Sequence, residues 1–378
     1  MSQSFKYYST IVIVLVVNLT FLIKYLSRAT AYYLPVALLI TAICAAIWHY
    51  RFSLNQWLEK RRFLNSGLIV VFVVVASVVF AKIPYQSLNV DRWSVITSFW
   101  DNYFSGEYVY FAKSNFGNPP GPMPFYYVLA LPFYAVGELG YFSLLGIVVF
   151  VLLLRFARVP KAQRTVGILL ICLSSCYLWD VVCRSNVFLN GSLVLFSLLF
   201  LFRSIETKRS HTLVVNGIII GLLLSTRNVF VIPYIVAFLY LLRSGQLNFA
   251  QVFKIGIVAT LTFVLTFLPF VYNHMADFMV MNPFVIQSSF LMPLGWSLGC
   301  IALSLLGYFV VKNPSDVYFF SGIILFVTIV LHFVYQSLVY DFHEAFFNSR
   351  ADISYFILCV PFLLYYALSY PMAPRTNQ

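Results

Sequence analysis

The sequence predicts an all-α polytopic membrane protein of about twelve transmembrane helices, with one long outer loop that carries interfacial helices. Three observations predict it. Of 378 residues, 61% are hydrophobic and only 10% are charged, whereas a soluble domain carries about 25% charged residues. The apolar residues gather in runs long enough to cross a bilayer, which takes about 20 residues at 1.5 Å each. One aromatic-rich polar segment, residues 82–123, is far longer than an ordinary connection.

The apolar runs cover 8–26, 31–49, 66–81, 139–156, 166–183, 186–202, 212–226, 229–242, 255–272, 290–311, 317–338 and 353–370. No small-residue cleavage pattern follows the first run, so it reads as a retained helix and not a signal peptide. The stretch 125–156 is too long for one straight span, and Pro132, Gly137 and Gly140 break it. Its first part, 122–137, reads either as an interfacial or re-entrant helix or as a span in its own right.

Charge orients these runs. The formal net charge is +12, and the basic clusters Arg51 to Arg62, Arg155 to Arg164, Arg203 to Arg209 and Arg243 to Lys254 fall in loops of one side. By the positive-inside rule that side is cytoplasmic and holds both ends of the chain. There is no soluble basic domain, which argues against nucleic acid as the partner. Acidic residues gather on the opposite side, at Asp91, Asp101, Glu107, Glu138, Asp180, Asp277, Asp341, Glu344 and Asp352. Acids contribute little to orientation, so their concentration points to binding or chemistry at the outer face. The six cysteines lie in or beside apolar runs without a CxxC pair, and read as small buried hydrophobes.

The outer loop holds Trp93, Phe99, Trp100, Tyr103, Phe104, Tyr108 and Tyr110. Its part from Asp91 to Phe104 is expected to form an amphipathic helix on the membrane surface. The Pro- and Gly-rich stretch Asn115 to Pro124 then returns the chain to the bilayer.

Several polar residues stand where a plain bundle does not need them. Asp91 is either the N-cap of the helix that follows or a working carboxylate. Asp180 and Arg184, four apart, share a helical face, as a structural ion pair or as an anion-binding arginine held by the acid. Arg227, with Asn228 beside it, interrupts two apolar runs, and its planar donor fork suits phosphate. The last outer loop holds His343, Glu344, Arg350 and Asp352, and no HExxH pattern. An acid beside arginines at a membrane surface suits a lipid-linked anionic substrate, the carboxylate taking a proton and the arginines holding phosphate oxygens.

The residues Asp91, Tyr103, Gly106-Glu107-Tyr108, Pro119-Pro120 and Leu131-Pro132 resemble the first outer loop of GT-C glycosyltransferases. The branch they look most like is the polyprenyl-phosphate-mannose-dependent mannosyltransferases, including the bacterial α-mannosyltransferases of lipid glycan synthesis. Ser225 to Asn228, and Arg350 with Asp352 before the final run, add to the likeness. The resemblance covers the chain from about residue 66 onward, so residues 1–65 read as an N-terminal two-helix addition to a catalytic unit at 66–378.

The resemblance implies inverting transfer of a sugar, mannose in that branch, from a polyprenyl-phosphate donor to a lipid or glycan acceptor. The reaction would take place on the outer face of a bacterial inner membrane. Asp91 would be the general base, and Arg227 and Arg350 the phosphate holders. Arg184, Asp180, Glu107, Asn228, Asp352 and His343 complete the expected binding set. Asp91 is followed by Arg92 and not by a second acid, a departure from the family's paired acids, so no metal or other cofactor is expected. Two other classes compete. A transporter or lipid flippase calls for pseudo-symmetric halves and broken helices near the midplane. A non-catalytic membrane subunit makes Asp91 dispensable.

Overall fold

A backbone N–H or C=O left unpaired in hydrocarbon costs several kcal/mol, which leaves helices and closed barrels as spanning structures. The computed structural model describes residues 1–60, 63–206, 210–290 and 293–370, and among them there are helices and no strands. Helix α1 (Gln3–Leu26) starts at Ser2, whose hydroxyl accepts from the Phe5 N–H. Helices α2 (Tyr33–His49) and α3 (Arg51–Lys60) meet at a 52° bend, and α4 (Leu64–Lys82) leads to the long loop. The surface helix expected there is α5 (Arg92–Ser105), stopped by Gly106 in the left-handed region at φ 78°.

The 122–137 segment is α6 (Pro124–Val136), a 13-residue helix too short to cross alone. Pro132 lies inside it without ending it, contrary to the expected break. The chain turns at Gly137, which is positioned to supply the left-handed conformation that closes a helix.

Next come α7 (Gly140–Phe156), α8 (Lys161–Leu173) and α9 (Ser175–Val182), the last two bent by 60° about Ser174. The middle of the chain forms α10 (Val187–Glu206), α11 (Ser210–Leu224), α12 (Val231–Arg243), α13 (Phe249–Leu265) and α14 (Leu268–Val271). Four shorter helices follow: α15 (Met275–Val280), α16 (Pro283–Phe290), α17 (Leu294–Leu305) and α18 (Gly307–Val310). Then come the long α19 (Pro314–Tyr340), α20 (Phe342–Phe346), a 3-10 segment at Ile353–Cys359 and α21 (Val360–Ser369).

Among the described residues, five helices are long and apolar enough to cross a membrane: α1, α4, α10, α19 and the stretch Phe249–Val271. Counting each bent pair, α2 with α3 and α8 with α9, as one crossing raises the number to 7. The remaining apolar helices have 10–17 residues. The described helices therefore supply fewer full-length spans than the apolar runs led us to expect. The physical reason is that apolar composition runs on through positions where the helix breaks, such as Ser174 and Leu306.

Side-chain pairs define the two poles of the bundle. At one pole Lys6 of α1 forms a buried ion pair with Asp316 of α19, and the Tyr370 hydroxyl donates to Gln3. Arg243 donates there to the carbonyls of Tyr308 and Val311. At the other pole Lys24 of α1 lies 5.7 Å from the Phe346 ring, and Arg28 donates to the Phe347 carbonyl at 2.7 Å. Helices α1 and α19 thus run in the same direction, with α21 packed against both. The long loop and the start of the Ile353–Cys359 segment join them at this second pole.

Helices α11 and α13 approach closely because α11 presents glycine. A Cβ at Gly221 would sit 2.3 Å from the Ala259 carbonyl oxygen, whereas one at Gly256 on α13 would meet nothing within 4 Å. Substitution by alanine should therefore have opposite signs at the two sites. Gly221→Ala forces the helices apart and is expected to cost about 1–3 kcal/mol. Gly256→Ala gains about 0.8–1 kcal/mol of helix propensity. Thermal unfolding of both variants in detergent checks this; equal shifts would refute the close α11–α13 contact.

Candidate functional site

At the second pole the helices surround a cavity of about 480 Å³. Its walls come from the end of α1, the loop at residues 89–92, the Pro-rich turn, Tyr126 of α6, residues 227–229, α16, α19 and residues 349–358. Five of the expected site residues line it: Asp91, Arg227, Asn228, Arg350 and Asp352.

Asp91 occupies the N-cap position of α5, but its side chain makes no capping hydrogen bond. Instead Oδ2 accepts from the Asn118 amide at 2.8 Å and, more distantly, from the Ser114 hydroxyl at 3.4 Å. The turn from Ser114 to Asn118 delivers that amide. It closes through Ser114 N–H to Asn118 O at 2.9 Å, with Gly117 at φ 77°, and the Ser94 hydroxyl ties it to α5 through Asn115. A carboxylate that spends nothing on its own helix is free for other work.

Arg227 sits where α11 stops, with extended backbone at φ −149° and ψ 128°. The carbonyls just before it are occupied: Ser225 O accepts from Tyr126 N–H and Thr226 O from Met123 N–H, both at 3.2 Å. These bonds satisfy donors at the start of α6 and fix the arginine. Its guanidinium stands 5.5 Å from the ring centre of Tyr126 and 5.9 Å from that of Tyr355. The side chain is only 8% exposed, and its Nε has no hydrogen-bond partner among the described residues.

Arg92 and Asp352 pair across the cavity wall, and Arg92 also donates to the Ser354 hydroxyl at 2.9 Å. Burial works against the Arg92 charge, but Tyr355 and Asp91 beside it raise its pKa above the ordinary arginine value. Asp352 in turn caps the Ile353–Cys359 segment, accepting from Ser354 N–H at 2.9 Å. Arg350 is exposed at the rim, 5.4 Å from the Tyr340 ring. The cavity lining is strongly cationic: Lys24, Arg28, Arg92, Arg227 and Arg350 face only Asp91 and Asp352 among acids. Such a lining attracts an anion.

Four expected residues lie elsewhere. The Asp180–Arg184 pair does not form. Helix α9 ends at Val182, and Arg184 adopts φ 53°, so the four-residue helical spacing no longer puts the two side chains on one face. Asp180 instead caps α10, accepting from Val187 and Phe188 N–H at 3.2 and 3.0 Å. Arg184 is fully buried. It pairs with Glu138 at 3.2 Å and donates to the carbonyls of Val182 and Ile83. Glu107 is exposed beyond the end of α5, and His343 is exposed on α20 with its ring 5.3 Å from that of Phe347. Neither lines the cavity.

Sequence reasoning missed Lys24 and Arg28, which belong to the first apolar run and its flank, and Asn118, which looked like part of a turn. Among the described residues no three His, Cys, Asp or Glu side chains come together as metal ligands. The chain matches no family model, no curated protein and no solved structure.

Arg184 is thus a structural residue. Arg184→Met leaves Glu138 without its cation and is expected to cost on the order of 3 kcal/mol of stability. It should leave binding of inorganic phosphate by the cationic cavity unchanged. Thermal unfolding and phosphate binding measured on the same preparation test this, and weaker binding at unchanged stability would return Arg184 to the site.

Proposed function

We propose that the chain is an inverting glycosyltransferase. It moves a sugar, mannose by the family resemblance, from a polyprenyl-phosphate donor to a hydroxyl of a lipid or glycan acceptor. One observation carries the reading: a single cationic cavity holds both a carboxylate not spent on capping and a buried arginine whose Nε lacks an acceptor among the described residues.

In this reading Asp91 accepts the proton of the acceptor hydroxyl while that oxygen attacks the anomeric carbon. The bond from the anomeric carbon to the phosphate oxygen breaks, and its electron pair leaves with the lipid phosphate. Attack opposite the leaving group inverts the anomeric centre. Arg227, with Arg350 and Asn228 nearby, holds the phosphate oxygens as their charge grows, and the Tyr126 and Tyr355 rings limit water around the guanidinium. Asn118 orients the Asp91 carboxylate, and the Arg92–Asp352 pair keeps the loop against the end of the chain. No step calls for a metal. The same reading takes the bundle as an inner-membrane protein of about twelve crossings, the shorter apolar helices included, with the cavity at the outer face.

The test is sugar transfer in membranes containing the protein, with radiolabelled polyprenyl-phosphate mannose as donor. Asp91→Asn should slow transfer by about 10²–10⁴-fold, the usual contribution of a general base. Arg227→Met should slow it by about 10²–10³-fold, as loss of a charge-stabilising donor does. Transfer by Asp91→Asn at the wild-type rate would remove Asp91 as the base. If the wild type transfers nothing from mannose, glucose or arabinose donors, the transporter reading takes precedence and substrate flux becomes the assay.

A further inference from the structure

A lysine in an apolar helix needs a partner, and the usual ones are missing around Lys24. It lies two residues from the end of α1, is 1% exposed, and lines the cavity. It therefore does not extend its ammonium into open water as surface lysines near helix ends do. The described residues offer it no hydrogen-bond acceptor and no carboxylate within ion-pairing distance. Of the cavity's two acids, Asp352 is paired with Arg92, and Asp91 accepts from the neutral Asn118 amide and forms no ion pair with Lys24.

Its contacts do not remove this deficit. The Phe346 ring lies 5.7 Å away, and a ring face attracts a cation but accepts none of its three N–H donors as an oxygen does. The C-terminal end of α1 favours a cation there, yet that same end carries a second positive charge, Arg28. Arg28 is satisfied: it donates to the Phe347 carbonyl at 2.7 Å and the Ser349 hydroxyl at 3.3 Å. Lys6 on the same helix makes a useful contrast, since it is buried to a similar degree and is paired with Asp316. One helix thus carries a buried lysine with a counter-charge at one pole and a buried lysine without one at the cavity.

We propose that Lys24 is an anion-binding residue of the cavity, and that its counter-charge is a phosphate group brought by the ligand. This goes beyond the transferase reading, since it concerns binding alone and holds whether the bound phosphate lipid is a donor, a product or a transported molecule. It also makes the first helix part of the ligand's site.

The proposal predicts a trade between stability and binding that a structural lysine does not make. Lys24→Met keeps the length and the packing of the side chain while removing the charge. The empty protein should then melt at the same or a higher temperature, because an uncompensated buried charge is gone. Affinity for a polyprenyl phosphate should fall about tenfold or more. Lys24→Arg should retain most of that affinity.

The experiment is thermal unfolding of the purified full chain in detergent, titrated separately with a polyprenyl phosphate, the matching polyprenyl alcohol and inorganic phosphate. Stabilisation of the wild type by the phosphate lipid and not by the alcohol, reduced in Lys24→Met and kept in Lys24→Arg, supports the proposal with a lipid source. The same pattern with inorganic phosphate alone supports it with a soluble source. A lower melting temperature for empty Lys24→Met, or undiminished phosphate binding by it, overturns it. Sugar transfer is not read, so failure of the transferase reading leaves this result standing.

Discussion

A charge inside an apolar bundle has lost the water that stabilised it, and the protein must return the deficit with a counter-charge and hydrogen bonds or leave the site for a ligand. The charged side chains here divide along that line. Lys6 with Asp316, Arg184 with Glu138, and Arg92 with Asp352 are matched pairs. The first joins helices at the pole opposite the cavity, the second involves no residue of the cavity lining, and the third forms part of its wall. Arg227 and Lys24 are buried at the cavity, and among the described residues neither has a carboxylate partner.

The matched pairs bring distant chain segments together. Lys6 and Asp316 are 310 residues apart, and Arg92 and Asp352 are 260 apart. Between them they align α1 with α19 and bind the long loop to the last helical segment. Backbone bonds finish the placement. The start of α6 donates to the Ser225 and Thr226 carbonyls, so the return of the loop into the bundle and the break before Arg227 are one structure. Asp91 reaches the same cavity by a different route, through a turn that hands it Asn118 in place of its own helix N-terminus. A carboxylate and an arginine more than a hundred positions apart line one cavity because two separate local motifs end at it.

Much of this was legible before the fold. A charge density of 10% points to the kind of solvent the surface meets, Arg227 stands out because it interrupts two apolar runs, and Asp91 and Arg350 stand out in the outer loops. What hydropathy and spacing did not reveal is where certain helices stop. The Asp180–Arg184 pairing assumed helical spacing through Cys183, but Arg184 turns to positive φ and finds Glu138, 46 positions away. The described helices supply five to seven full-length spans, because hydropathy does not register breaks such as the 60° bend at Ser174. Glu107 and His343 were chosen by residue type, and only packing reveals that they stand outside the cavity. Lys24 was passed over for the opposite reason. One lysine near the end of an apolar run has the pattern of a side chain reaching for the interface, and its 1% exposure is a property of the neighbours that cover it.

That last point bears on the first helix. By sequence it precedes the part of the chain that carries the family resemblance, as an addition would. By packing it lies against α9, α21 and the Ile353–Cys359 segment, and its end contributes Lys24, Tyr25 and Arg28 to the cavity. A helix serving only as an anchor has no physical need to bury an ammonium at the pole opposite its own ion pair. The cost of that ammonium falls on the empty protein, and an anion in the cavity would offset it. The arrangement is therefore easiest to account for if the cavity is anion-filled in its working state and the first helix is one of the walls that hold the anion.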